Sequence, residues 1–154
     1  MEPKTLGIWK SFASKPGGKW AFSRLICLKA PYFGSIKPLF VELRPEYSEV
    51  HIKKRRAVLN HIGTVHAIAM CNMAELAAGV MTDVTIPPTH RWIPKGMTVR
   101  YLEKAESNLR AIAIPASPLK LGSAGEYAVN VDVVNTNNIK VFTASITMWV
   151  SPKR

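Results

Sequence analysis

Between Arg56 and Asp83 a single side chain, Glu75, carries formal charge, and almost everything around it is apolar or small. The segment Asn60–Thr82, NHIGTVHAIAMCNMAELAAGVMT, gathers Met70, Cys71, Met73, Ala74, Leu76, Ala77 and Ala78 about that one carboxylate. From Thr64 onward the residues favour helix, and Gly79 is a candidate end signal. A helix that is apolar on every side has to be enclosed by other elements. An acid enclosed with it must be paired, protonated or in use, because burying an uncompensated charge is costly. Asn60, His61 and His66 bring further polar groups to the entrance of this helix. The chain must wrap the segment, and its chemistry is expected here.

The flanking sequence supplies the wrapping. Leu6, Trp9 and Phe12 fall at helical spacing in residues 5–14, and Lys15-Pro16-Gly17-Gly18 interrupts that helix. A second short helix is expected over Lys19–Ala30. Leu39–Arg44 alternates as a strand. Glu49–Leu59 reads as a second, carrying Lys53-Lys54-Arg55-Arg56 with its charges split between two faces. Asp83–Gly96, with Pro87, Pro88, Pro94 and the lone large aromatic Trp92, reads as a long loop. Met97–Glu103, Asn108–Ile114, Tyr127–Val133 and Lys140–Val150 are further strands in hairpin order, with a dense turn signal at Asn135–Asn138. This order predicts an α+β fold: a curled antiparallel sheet of about six strands around one central helix, preceded by short N-terminal helices. Such a sheet leaves an edge to cover, so a dimer that pairs edge strands is expected.

The length of 154 residues suits one domain, expected over 1–154 with an N-terminal helical extension at 1–38 and a core at 39–151. A chain 47% hydrophobic and 20% charged is globular in character and not disordered. Cys27 and Cys71 cannot build a disulfide framework, and no signal-peptide pattern opens the sequence, so a reducing, cytoplasmic setting is expected. The uncharged run Ala57–Ala74 holds Asn60, His61, Gly63, His66 and Asn72, which argues against a membrane span. The net charge of +11 favours anionic partners. Splitting the KKRR run between two strand faces argues against nucleic acid. His51, His61 and His90 show no metal-ligand spacing, so neither a metal nor a cofactor is expected.

Asn60, Gly63, His66 and Glu75 also stand at the spacings of a known motif. In thioesterases of the phenylacetate-pathway type, Asn-x-x-Gly-x-x-His-Gly-Gly opens the central helix and an acid follows the histidine nine positions later. The chain resembles that hotdog-fold thioesterase superfamily over Val41–Val150, and Met97–Ala105, MTVRYLEKA, looks like its next strand. NHIGTVHA and AELAAG are most similar to a hotdog subfamily known mainly as uncharacterised candidate thioesterases. Ala67 and Ile68 stand in place of the two glycines, and Glu75 in place of the commoner aspartate.

The resemblance implies hydrolysis of acyl-CoA or another acyl thioester by a homodimer, able to pair into a dimer of dimers, with sites built from both subunits. Glu75 would be the general base or nucleophile, and the Ala67 amide would hold the oxyanion at the helix N-terminus. Asn60 would position the water or the carboxylate, and His66 would orient the entrance. Substrate contacts are implied at Gly63, Thr64, Ile68, Met70 and Tyr101. Lys54, Arg56, Arg91 and Lys95 are candidates for holding coenzyme A phosphates. Two alternatives keep the fold: a non-catalytic acyl-CoA-binding protein, and a hydroxyacyl thioester dehydratase using His61 and Glu75. Nine helical residues rise about 13.5 Å and end half a turn out of phase, so His66 and Glu75 of one chain cannot meet at one atom. A two-fold dimer with antiparallel central helices brings them together.

Overall fold

The computed structural model describes residues 1–154. Helices α1 (Lys4–Ala13) and α2 (Gly18–Lys29) and a 3₁₀ turn at Pro31–Ile36 precede the first strand. The sheet comprises β1 (Leu39–Arg44), β2 (Tyr47–Ile52), β3 (His90–Tyr101), β4 (Leu109–Pro115), β5 (Gly125–Val134) and β6 (Lys140–Pro152). Its order is β1-β2-β4-β5-β6-β3, and every neighbouring pair is antiparallel. The long helix α3 (Ala67–Thr85) packs against all six strands. This is the arrangement that strand alternation around one apolar helix predicts.

Alternation decides which face meets α3. Tyr127, Val129, Val131 and Val133 of β5 and Phe142, Ala144, Ile146 and Met148 of β6 are buried, while the residues between them are not. Of the 19 residues of α3, 12 are buried, so a helix long and apolar enough to cross a membrane is here the core of a sheet. Ser48 Oγ of β2 donates to the Ala77 carbonyl at 2.8 Å, which ties sheet to helix where both are buried.

Boundaries differ from the sequence expectation in three regions. First, α3 begins at Ala67, not Thr64, and runs past Gly79 to Thr85. The Leu59–Val65 bridge and the bond from Val65 N–H to the Ala105 carbonyl (2.8 Å) hold residues 60–66 as a loop. Gly79 marks a close approach, because a Cβ there would lie 2.7 Å from the Trp92 ring. Second, β2 ends at Ile52. Lys54 N–H turns to the Asn108 side chain (2.9 Å) and Arg56–Val58 form a 3₁₀ turn, so the KKRR run leaves the sheet and its charges do not alternate across it. Third, the loop expected over Asp83–Gly96 shrinks to Ile86–Thr89, because β3 starts at His90. An edge strand tolerates Pro94, and the register shifts between Pro94 and Gly96 absorb the misfit.

The two sheet edges differ. Along β1, α2 covers the edge: Phe40 N–H donates to Ser23 Oγ at 2.8 Å, and Arg24 donates to the Pro38 carbonyl at 2.5 Å. Along β3 nothing covers it. This strand pairs only with β6 and leaves Ile93 and Tyr101 61% and 53% exposed. Ser23 is fully buried and also donates to the Lys19 carbonyl, so Ser23→Ala strands the Phe40 amide. That substitution is expected to lower stability by about 1–3 kcal/mol, read as a shift of the urea midpoint at constant m-value.

Candidate active site

Glu75 sits midway along α3, half-buried, and its side chain makes no hydrogen bond and no ion pair to any other residue. It lines a cavity of about 250 Å³ whose other walls come from every layer of the fold. Ile26 and Lys29 come from α2, Phe33 from the following turn, Leu76 and Val80 from α3, and Trp92 and Pro94 from β3. The lining is predominantly apolar. Its volume is below the ~300–1,000 Å³ of a site for a whole drug-sized ligand, so it fits one group of a substrate.

The wall of this cavity is held by contacts that the sequence does not announce. Asp83 accepts from Trp92 Nε1–H at 3.0 Å and from Thr5 Oγ1–H at 2.5 Å, which fastens β3 and α1 to the end of α3. The Trp92 ring then lies over Gly79, where only a missing side chain leaves room. Trp92 is visible in the sequence as the one large aromatic of its segment, but no spacing rule links it to Gly79 or Asp83.

The loop before α3 is organised by Asn60. Its Oδ1 accepts from the amides of Ile62 and Thr64, both at 3.1 Å, and its Nδ2 donates to Thr64 Oγ1 at 2.7 Å. Gly63 takes φ of 81°, a left-handed conformation that suits glycine, at the tip of this turn. Most of Asn60's capacity therefore goes to shaping the loop. His66 caps α3: Nδ1 accepts from Ile68 N–H at 3.0 Å, which leaves the ring proton on Nε2, facing outward from an exposed residue.

The first turn of α3 is then nearly accounted for. Ile68 N–H goes to the His66 ring, and the amides of Ala69 and Met70 go to the His66 carbonyl (3.0 and 3.2 Å). Only the Ala67 N–H has no acceptor in the chain. It points from the positive end of a 19-residue helix. His66, Ile68 and Ala69 line a second cavity of about 370 Å³ with Tyr32 and Asn72, and that cavity shares no residue with the one at Glu75.

The remaining expected contacts divide. Thr64 and Met70 are buried in the loop and the core, and neither lines the Glu75 cavity. Tyr101, at the end of β3, stacks near Phe142 and lies 3.7 Å from the Cys71 thiol. The hydrogen bond with Cys71, then burial, then the charge of a Cys71 thiolate hold the Tyr101 phenol above its ordinary range. His61 is exposed in the loop before α3 and does not line the Glu75 cavity.

A curled antiparallel sheet around one central helix is the hotdog architecture, and this chain has it. Residues 18–150 match the family described as "Domain of unknown function (DUF4442)", and the chain belongs to that family. Among solved structures, a structural-genomics target is 51% identical, with a TM-score of 0.84 over 97% of this chain and 98% of that one. A thioesterase from Haemophilus influenzae is 13% identical, with a TM-score of 0.73 over 83% of this chain and 87% of that one. A probable thioesterase from Pseudomonas aeruginosa is 18% identical, with a TM-score of 0.74 over 85% of this chain and 93% of that one. The latter two likenesses concern fold. No match was found among curated proteins.

Proposed function

We propose that this protein hydrolyses an acyl thioester at sites shared between two copies of the chain, with Glu75 as the catalytic carboxylate. The observation that carries the proposal is Glu75 itself: an acid in an apolar helix, over a cavity of about 250 Å³, with no structural partner. Within its own chain the acid has no ion-pair partner, which supports a use in chemistry. Glu75 takes a proton from water as that water attacks the thioester carbon, and returns it to the thiolate as the C–S bond breaks; alternatively its carboxylate attacks the carbon, expels the thiolate, and water hydrolyses the resulting anhydride. The free Ala67 N–H receives the oxyanion, and the apolar cavity receives the acyl group. Asn60, Gly63 and Thr64 hold the loop that delivers Ala67, and His66 keeps the other first-turn amides occupied.

The open edge of β3 supports the shared site. Its beginning, at Trp92 and Pro94, walls the Glu75 cavity, and its end, at Tyr101, lies beside Cys71 near the start of α3. Pairing two copies of β3 antiparallel about a two-fold axis sets the beginning of one against the end of the other. Glu75 of one protomer then approaches Ala67, Ile68 and Tyr101 of its partner. The same pairing covers the long edge strand, which would otherwise template aggregation.

The test is thiol release from a panel of short-chain, aromatic and long-chain acyl-CoAs, alongside light scattering at micromolar concentration. Release from at least one substrate class by a dimer is expected. Tight acyl-CoA binding without any release makes this a binding protein instead, and a monomer removes the shared site.

A further inference from the structure

A different cavity, of about 650 Å³, lies beside α2 between the ends of β2 and β4. Its lining holds Arg24, Lys37, Lys53, Arg55 and Arg110, five of the chain's 21 Lys and Arg residues, and none of its ten Asp and Glu. The cations differ in how far they are neutralised. Arg110 reaches Glu49 at 3.4 Å, and His51 reaches the same carboxylate at 2.6 Å. Burial raises the Glu49 pKa, but the hydrogen bond and charge of His51, with bonds from Tyr47 and Arg110, outweigh it and keep Glu49 ionised. The other four have no acid within reach.

Arg24 and Arg55 each spend one guanidinium nitrogen on a backbone carbonyl, of Pro38 and Ser35, and each keeps a buried Nε–H with no acceptor. Lys37 and Lys53 are exposed at the cavity and unbonded, and Lys37 sits at a φ of 47° that a lysine rarely adopts. Orphaned donors beside unpaired cations favour an anion. A lone phosphate does not explain the size of the cavity or the rest of its lining. Trp20, 63% exposed, offers an aromatic face, and Asn108, Asn135 and Thr136 add groups able to bond a base edge.

We propose that this cavity is a second ligand site, separate from the one at Glu75, for a nucleoside diphosphate. Arg24, Lys37, Lys53 and Arg55 hold the phosphates, and the base stacks on Trp20. Free nucleotide and the nucleotide end of coenzyme A carry this chemistry equally. The Arg55–Ser35 contact places the cavity one wall away from the one lined by His66, since Ser35 also lines the latter.

Calorimetric titration with ADP, coenzyme A and inorganic pyrophosphate tests the site. Saturable binding of ADP, at least tenfold tighter than pyrophosphate, is expected. It should weaken at least tenfold in Lys37→Glu/Lys53→Glu and several-fold in Trp20→Ala, both at exposed positions, and stay unchanged in Lys120→Glu. No saturable nucleotide binding, binding indifferent to the double substitution, or retention on anionic phospholipid vesicles alone overturns it.

Turnover separates the two sources. Inhibition by ADP that is competitive against an acyl-CoA, and absent with the same acyl group on N-acetylcysteamine, assigns the site to the coenzyme. An ADP effect on both substrates assigns it to free nucleotide. Nucleotide binding without hydrolysis of any thioester upholds this site and defeats only the hydrolase proposal.

Discussion

Glu75→Gln is expected to lower thioester hydrolysis by about 10²–10⁴-fold, the usual contribution of a positioned acid–base group, while the melting temperature stays where it was. The second half of that expectation discriminates. A structural carboxylate inside an apolar helix would be bonded, and removing its charge would leave those bonds broken and the fold weaker. Glu75 has neither hydrogen bonds nor ion pairs to lose. Glutamine keeps the volume and removes only the ability to accept a proton or attack carbon. Steady-state kinetics and a thermal melt on the same preparation decide the matter. A fall of several degrees with unchanged kcat/KM would return Glu75 to the scaffold.

The fold was legible in the sequence because its signals are local and repeated. Alternation in β5 and β6 and the uncharged run around α3 each extend over many residues, and burial enforces both periods. Boundaries were less legible where a tertiary contact overrides a local signal. Gly79 reads as a helix end because glycine costs helix stability, but here it makes room for Trp92. Pro94 and Gly96 read as loop because proline breaks sheet ladders, but β3 has one side free and loses little there. The KKRR run reads as strand because Val50 and Ile52 begin an alternation, which ends when Lys54 bonds to Asn108.

The proposed site was half legible. Asn60, His66, Ala67 and Glu75 are its candidates because a resembled motif places them on one loop and one helix. The cavity over Glu75 was not, because Thr5, Phe33 and Trp92 reach it from three separate segments. The tasks of the polar residues were also hidden. Only in three dimensions does it emerge that Asn60 bonds to its own loop and that His66 closes the Ile68 amide. These bonds leave Ala67 as the one first-turn donor still open.

Ala67→Pro isolates that donor. Proline is favoured at the first position of a helix, where its missing N–H has no intrahelical partner to lose. His66 already has the extended geometry (φ −62°, ψ 138°) that a residue before proline requires. The substitution is therefore expected to fold and dimerise normally while losing about 10²–10³ in kcat, the effect of removing one oxyanion donor. Paired with Glu75→Gln, it also tests whether the site is shared. Each variant alone carries two damaged sites per dimer. In a mixed dimer one site receives both defects, and the other joins the intact Ala67 of the first chain to the intact Glu75 of the second. Co-expression in equal amounts should therefore recover about a quarter of wild-type activity, since about half the dimers are mixed and each has one working site. If Ala67 and Glu75 served the same site within one chain, every chain would carry a lesion and mixing would recover nothing. Recovery thus reports on geometry between protomers, independently of which acyl group the cavity takes.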